Sequence, residues 1–221
     1  MEISINIITT SNYGMQLKEN SVLIEQLNKL SDYFEVNVLL NGGDLLDTSR
    51  NPITKSTVYR HSLVLTHGKG QQFLHENTKT KYYLCIDEDD QFYSVEDIIK
   101  LKDLPDIEGL IGFNYYINEK GHLSRVENTT VLGVANWNFL WNKNDLDKRN
   151  LHRFNMNYYD DSCFYIPVYY SYKECTIITN CLYQHNIDNS RMSRCAINVI
   201  RDYISQLYQG LHLAVTKRIT L

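Results

Sequence analysis

Proline is scarce in this sequence, three residues in 221, and glycine amounts to only ten. That scarcity argues against long linkers and disordered tails, and no repeat or low-complexity run interrupts the chain. A positive excess is missing too. With 22 Lys and Arg against 26 Asp and Glu, the net charge of −4 gives no global attraction to nucleic acid or anionic lipid and leaves such partners only a local basic patch. No apolar run approaches the roughly 18–20 residues that cross a bilayer. The amino-terminal segment carries Glu2 where a secretory leader would carry Lys or Arg, so it reads as a first strand. The five cysteines, at 85, 163, 175, 181 and 195, include no CxxC pair and no histidine at zinc-finger spacing. They are expected to be reduced thiols of a cytoplasmic protein that is soluble or peripheral to a membrane.

What is present suits a folded core. The 43% hydrophobic and 22% charged residues are ordinary for one globular domain of this length. The alternation Ile3-Ser4-Ile5-Asn6-Ile7 has period two and runs into the turn-like Thr9 to Gly14. Leu17, Val22, Leu23, Leu27 and Leu30 recur near helical spacing, and Phe34 to Leu40 is strand-like and closed by Asn41-Gly42-Gly43. A second unit follows, with a strand over Val58 to Leu65, a helix over Gly68 to Thr78 and an apolar strand over Lys81 to Ile86. Two β-α-β units predict an α/β fold with a Rossmann-like, mostly parallel central sheet flanked by helices. Ligands of such sheets bind outside the carboxyl ends of the strands, where Thr9 to Asn12, Asn41 to Asp44 and Asp87 to Asp90 should converge.

After residue 100 the pattern changes to short apolar stretches, Gly109 to Phe113 and Thr129 to Gly133, and aromatic-rich segments around Trp137, Trp141 and Tyr158-Tyr159. Residues 1–221 are read as one domain, with a donor half over 1–100, an acceptor-facing half over 101–195 and a carboxyl-terminal helix over 196–221. Ile200, Ile204, Leu207 and Leu211 share one face of that helix.

Asp87-Glu88-Asp89-Asp90 places four carboxylates at a strand end, where mutual repulsion calls for a cation or hydrogen bonds. Hard divalent ions such as Mg or Mn take carboxylate oxygens and keep positions for phosphates. The alternative is a solvated acidic loop leading into a helix near Ser94 to Leu101. Asp160-Asp161 is a second acidic pair, readable as a general base or as a helix N-cap. His185 lies between a strand-like stretch and polar residues; its imidazole could ligate the same cation, with Arg191 and Arg194 near enough in sequence to neutralise phosphate. His61, His67, His75, His122, His152 and His212 show no comparable context.

In this order the motifs resemble those of glycosyltransferase family 2, enzymes with the nucleotide-diphospho-sugar transferase (GT-A) fold, over about residues 3 to 193. Ile8-Thr9-Thr10-Ser11-Asn12 is similar to the family's first-strand loop. Asn41-Gly42-Gly43-Asp44 stands where the family has Asp-Asp-Gly-Ser, so Gly42 replaces the aspartate that contacts the base, with Asn41 or Asp44 as substitutes. Tyr82 to Asp90 resembles the Leu-Asp-Ser-Asp-Asp signature, and Gly133 to Trp141 resembles the glycine loop and aromatic segment of the acceptor side. Tyr159-Asp160-Asp161 matches the Glu-Asp motif with its catalytic base, and Leu182-Tyr183-Gln184-His185 with Asn189 to Ser193 resembles the terminal segment that approaches metal and diphosphate.

The resemblance implies a metal-dependent, inverting transferase using a nucleotide-diphosphate sugar, UDP-linked by preference, and a glycan, glycolipid or other hydroxyl acceptor. It implies Asp161 as base, Thr10, Ser11, Asn12, Asn41, Asp44, Asp87 and Arg191 on the donor, and Asp87, Asp89, Asp90 and His185 around Mn or Mg. Trp137, Trp141, Tyr158 and Tyr159 would wall the acceptor or pack in the core. Two rivals stay open: a two-metal phosphodiesterase or nuclease using the same carboxylates, and an inactive nucleotide-sugar binding module.

Overall fold

In the computed structural model the described residues are 1–10, 17–42, 51–127, 136–151, 168, 171–172 and 175–187. Strand β1 (Ile3–Thr10) is buried on both sides, as a central parallel strand should be. Its buried Asn6 is satisfied at both ends of the amide: Nδ2 donates to Thr78 Oγ1 at 3.0 Å, and Oδ1 accepts from Asn37 Nδ2 at 3.0 Å. Helix α1 (Ser21–Leu30) buries Leu23, Leu27 and Leu30 along one face, and Asn20 caps it by accepting from Leu23 N. Strands β2 (Glu35–Asn41) and β3 (Thr57–His61) follow. Thr66 caps α2 (His67–Asn77), which packs so close to β1 that a Cβ on Gly70 would sit 2.8 Å from Ile8 Cδ1.

All five residues of β4 (Tyr82–Ile86) are buried. The short β5 (Gln91–Phe92) and α3 (Val95–Lys100) come next, and β6 (Leu110–Glu119) and β7 (His122–Val126) form a hairpin. Strand β8 (Phe139–Asn142) leads into α4 (Lys143–Lys148), capped by Asn142, and β9 (Cys175–Asn186) is the last described strand.

Among the described residues the strands make one sheet in the order β3-β2-β1-β4-β8-β6-β9-β5, with β7 beside β6. The first four are mutually parallel, and β6 runs parallel to β9. Along this path β8 is reversed against both β4 and β6, and β5 against β9. The sheet is therefore mixed but mostly parallel, the expected α/β class. Its two faces carry separate apolar groups: Ile3, Ile5 and Ile7 with Leu23 and Leu27 of α1 on one side, and Ile8 and Leu39 with Leu74 of α2 on the other. A further group joins Tyr83, Phe139 and Trp141 to Leu146 of α4.

Two expectations shift, and two others fall outside the described residues. The third strand ends at His61 rather than Leu65, because Asn41 seizes the backbone of Leu65 and turns the chain toward α2. The apolar stretch at Gly109 to Phe113 continues as a ten-residue strand to Glu119. The stretch Thr129 to Gly133 and the helix over Ala196 to Val215 lie outside the described residues.

Candidate active site at the carboxyl edge of the parallel strands

Register brings Thr10 of β1 opposite Asn41 of β2, and Ile7 opposite Ile86 of β4, so these strands end on one edge of the sheet. Beyond Ile86 the chain turns, with Asp90 N donating to Asp87 O at 3.2 Å. The four acidic side chains do not act as one group. Oxygens of Asp87, Asp89 and Asp90 lie within 4.8 Å of one another, whereas the buried Glu88 carboxylate accepts from Leu17 N at 3.4 Å on the α1 side.

Helix α1 holds this turn in place. Asn20, while capping the helix, donates through Nδ2 to Glu88 O at 3.2 Å and to Asp90 O at 2.8 Å. Gln26 behaves like a strand partner of Phe92: its Nε2 donates to Phe92 O at 2.7 Å and its Oε1 accepts from Phe92 N at 2.9 Å.

The other wall is β9. Asp90 is fully buried, and its Oδ2 accepts from the Tyr183 hydroxyl at 2.7 Å and from His185 Nδ1 at 2.9 Å. Its Oδ1 accepts from Asn186 N at 2.7 Å, and Asn186 Nδ2 donates to Asp89 O at 3.0 Å. Trp137 lies flat on Tyr183, with centroids 4.4 Å apart at 8°, and on His185, 5.3 Å apart at 20°. Burial works against charge on His185, but the bond to Asp90 and the carboxylates of Asp87 and Asp89 overcome it and raise its pKa. Burial pushes the Asp90 carboxyl up against the pull of His185; with the Tyr183 hydroxyl and the Asn186 N–H already donating to Asp90, the proton of the pair is assigned to Nδ1 of His185. Burial, and then the same carboxylates, raise Tyr183 well above the ordinary phenol value, so it remains a neutral donor.

A second imidazole reaches the turn from α2. His67, the first residue of α2, places Nε2 3.6 Å from Asp87 Oδ1. The preceding segment is fixed by Asn41, whose Oδ1 accepts from Leu65 N at 2.7 Å and whose Nδ2 donates to Leu65 O at 2.9 Å.

Asp87, Asp89, Asp90 and His185 are thus brought together. Asn41 stands at the expected strand end, but both ends of its amide are engaged in shaping the neighbouring loop. Thr10 closes β1 beside it. Trp141 is fully buried and Trp137 nearly so, which makes them core residues and, for Trp137, a platform under His185. Ser11, Asn12, Asp44, Tyr158, Tyr159, Asp160, Asp161, Arg191 and Arg194 lie outside the described residues. Sequence reasoning passed over Asn20, Gln26 and His67, and placed Tyr183 in a motif without giving it a role. Only Asn20 carried a local signal, an N-cap residue directly before an apolar-periodic helix. Two part-exposed carboxylates, a buried one and a nearby imidazole make a donor set that suits a divalent cation.

No family model matches the sequence, and no curated protein matches it. Solved structures do resemble it. TarS from S. aureus in complex with UDP-GlcNAc superposes with a TM-score of 0.68 at 14% identity, over 88% of this chain and 61% of the TarS chain. The mannosyltransferase PcManGT from Pyrobaculum calidifontis, in complex with GDP-Man and Mn2+, superposes with a TM-score of 0.65 at 12% identity, over 100% of this chain and 65% of its own. The chain therefore spans less than two thirds of the length of either neighbour. At such identities the likeness establishes a shared fold.

Proposed function

We propose that this chain transfers a sugar from a nucleoside-diphosphate donor to an acceptor hydroxyl. The observation that carries the reading is the position of the acidic turn: Asp87, Asp89 and Asp90 cluster at the carboxyl edge of the parallel strands, with His185 fastened to them. The fold adds support, because neighbours of this architecture were solved with UDP-GlcNAc and with GDP-Man and Mn2+.

In this reading Asp89 and Asp87 hold a divalent cation, Mn or Mg, and Asp90 and His185 complete the site. When bound, the cation neutralises the charge that develops on the departing nucleoside diphosphate. Thr10, Ser11, Asn12, Asn41, Asp44 and Arg191 form the donor side, with Asn41 acting through the loop it shapes. Asp161 takes the proton from the acceptor hydroxyl, whose oxygen attacks the anomeric carbon as its bond to the diphosphate breaks, inverting the configuration. A UDP-sugar is the preferred donor, a glycan or glycolipid the preferred acceptor, and the cytoplasm the preferred compartment.

The test is a thermal-shift series with UDP-GlcNAc and GDP-Man, each with and without Mn2+, since a ligand that binds only the native state raises the melting temperature. A Mn2+-dependent shift that disappears in Asp89→Ala is expected. Asp161→Asn should keep that shift but lose donor turnover. Equal donor affinity with and without metal in the unmodified protein would sink the cation, and metal-dependent cleavage of nucleic acid in place of sugar transfer would sink the reaction class.

A further inference from the structure

We propose that Asp90 serves the cation site as the orienting partner of His185 rather than as a ligand in its own right, with Trp137 fixing the plane of the imidazole. The inference rests on the cation of the proposed function and divides the work among residues of that site.

A carboxylate oxygen has about two lone pairs to offer. On Oδ2 of Asp90 both are directed at protein donors, the Tyr183 hydroxyl at 2.7 Å and His185 Nδ1 at 2.9 Å. Oδ1 receives Asn186 N at 2.7 Å. The side chain is wholly buried, whereas Asp87 and Asp89 are part-exposed and meet the side from which a cation and a diphosphate arrive.

The donor relationship also assigns the histidine tautomer. With Nδ1–H directed at Asp90, the ring's lone pair is on Nε2, the arrangement in which a carboxylate behind a histidine readies it for a metal. Rotation of the ring is opposed by Trp137, stacked at 20° on one face and itself stacked at 8° on Tyr183. Asn186 closes the assembly from β9, since its backbone N–H holds Asp90 and its amide holds the Asp89 carbonyl. The ligand set becomes Asp87, Asp89 and one imidazole nitrogen, and imidazole suits Mn better than it suits Mg.

Pulsed EPR of the Mn2+-loaded protein tests this. The unmodified protein is expected to show a 14N coupling from one imidazole, and His185→Gln to lose it while Mn2+ affinity falls about 10- to 100-fold. Asp90→Asn should weaken Mn2+ comparably, and the double variant should bind no more weakly than His185→Gln alone, because Asp90 acts through His185. Additive losses would make Asp90 a ligand and overturn the proposal. Mn2+ bound to the unmodified protein without nitrogen coupling also overturns it, while leaving the proposed function standing. No Mn2+ binding at all removes the cation from both. Should Asp90→Asn fail to fold, Tyr183→Phe decides: it frees a lone pair on Oδ2, so tightening of Mn2+ beyond about threefold would identify Asp90 as a ligand.

Discussion

Nε2 of His67 stands 3.6 Å from Oδ1 of Asp87, bringing the first residue of α2 to the acidic turn that follows β4. The contact is longer than a hydrogen bond, so it acts by limiting the orientations open to the carboxylate. His67→Ala is expected to weaken Mn2+-dependent nucleotide binding about tenfold, as loss of an outer partner of a metal site does. Its melting temperature should stay near the parent's, because Thr66 still caps the helix. Calorimetric titration with UDP and Mn2+ checks the first point and a thermal melt the second. A variant that binds like the parent would show that this contact is incidental.

Asn20 joins two jobs in one side chain, capping α1 through Oδ1 and holding the carbonyls of Glu88 and Asp90 through Nδ2. Asn20→Ala therefore loses an N-cap and leaves two carbonyls without this donor. A cap is worth about 1 kcal/mol and each further bond about the same, so a loss of roughly 2–3 kcal/mol is expected. Asn20→Asp separates the two roles: it keeps the cap, loses the amide donor and adds charge beside the acidic turn. Mn2+ affinity should then fall more than stability does. Chemical denaturation and Mn2+ titration of both variants measure the split, and equal Mn2+ affinity in all three proteins would contradict it.

Much of the fold of the first hundred residues is legible in the amino-acid pattern alone. The alternation of Ile3, Ile5 and Ile7, the leucines of α1 and the apolar run leading to Asp87 define two parallel units and the edge on which their loops meet. The pattern does not show how side chains divide at that edge. Glu88 and Asp89 are adjacent, yet one carboxylate enters the α1 side and the other joins Asp87 and Asp90. His185 and Asp90 are 95 positions apart, and only the pairing of β5 with β9 brings them together. Asn41, which the resemblance places on a donor, has its amide claimed by the nearest backbone. Trp137 and Trp141 illustrate the same limit, since aromatic composition does not tell an acceptor wall from a buried stack.

Cys85, Cys175 and Cys181 are free thiols, in keeping with the absence of CxxC spacing. Burial pushes Cys175 up to about 11, against the smaller opposing effect of the Gly112 N–H. The fold thus favours the neutral thiol, and above the unfolded value the unfolded chain gives up this proton first, so its contribution to stability declines as pH rises toward 11. At about pH 8 the folded thiol should be alkylated roughly a hundredfold more slowly than in denaturant, because thiolate is the reactive form. Peptide mass spectrometry after timed iodoacetamide exposure measures the ratio. Equal rates in the folded and denatured protein would show that the thiol is not protected.

Gly42 occupies the position where the resembling family carries its base-contacting aspartate, and its geometry explains why a side chain is excluded here. Its φ is +71°, in the left-handed region, and an added Cβ would lie 2.4 Å from Val64 Cγ2. Its N–H is also committed to His61 O at 2.8 Å, so the backbone cannot swing away without losing that bond. Gly42→Ala therefore meets two penalties, about 1–2 kcal/mol for the backbone and about 1–3 kcal/mol for the clash. Val64 is 52% exposed, so Val64→Ala alone should cost no more than about 0.5 kcal/mol. The double variant should regain the steric part and keep the backbone part. With roughly 2–4 °C lost per kcal/mol in a chain of this size, Gly42→Ala should melt several degrees lower and recover part of that loss when Val64→Ala is added. Strict additivity of the two substitutions would show that Val64 does not restrict position 42. Gly42→Asp should be destabilised at least as much as Gly42→Ala, so restoring the family's aspartate would not restore its contact with the base while Val64 fills that space.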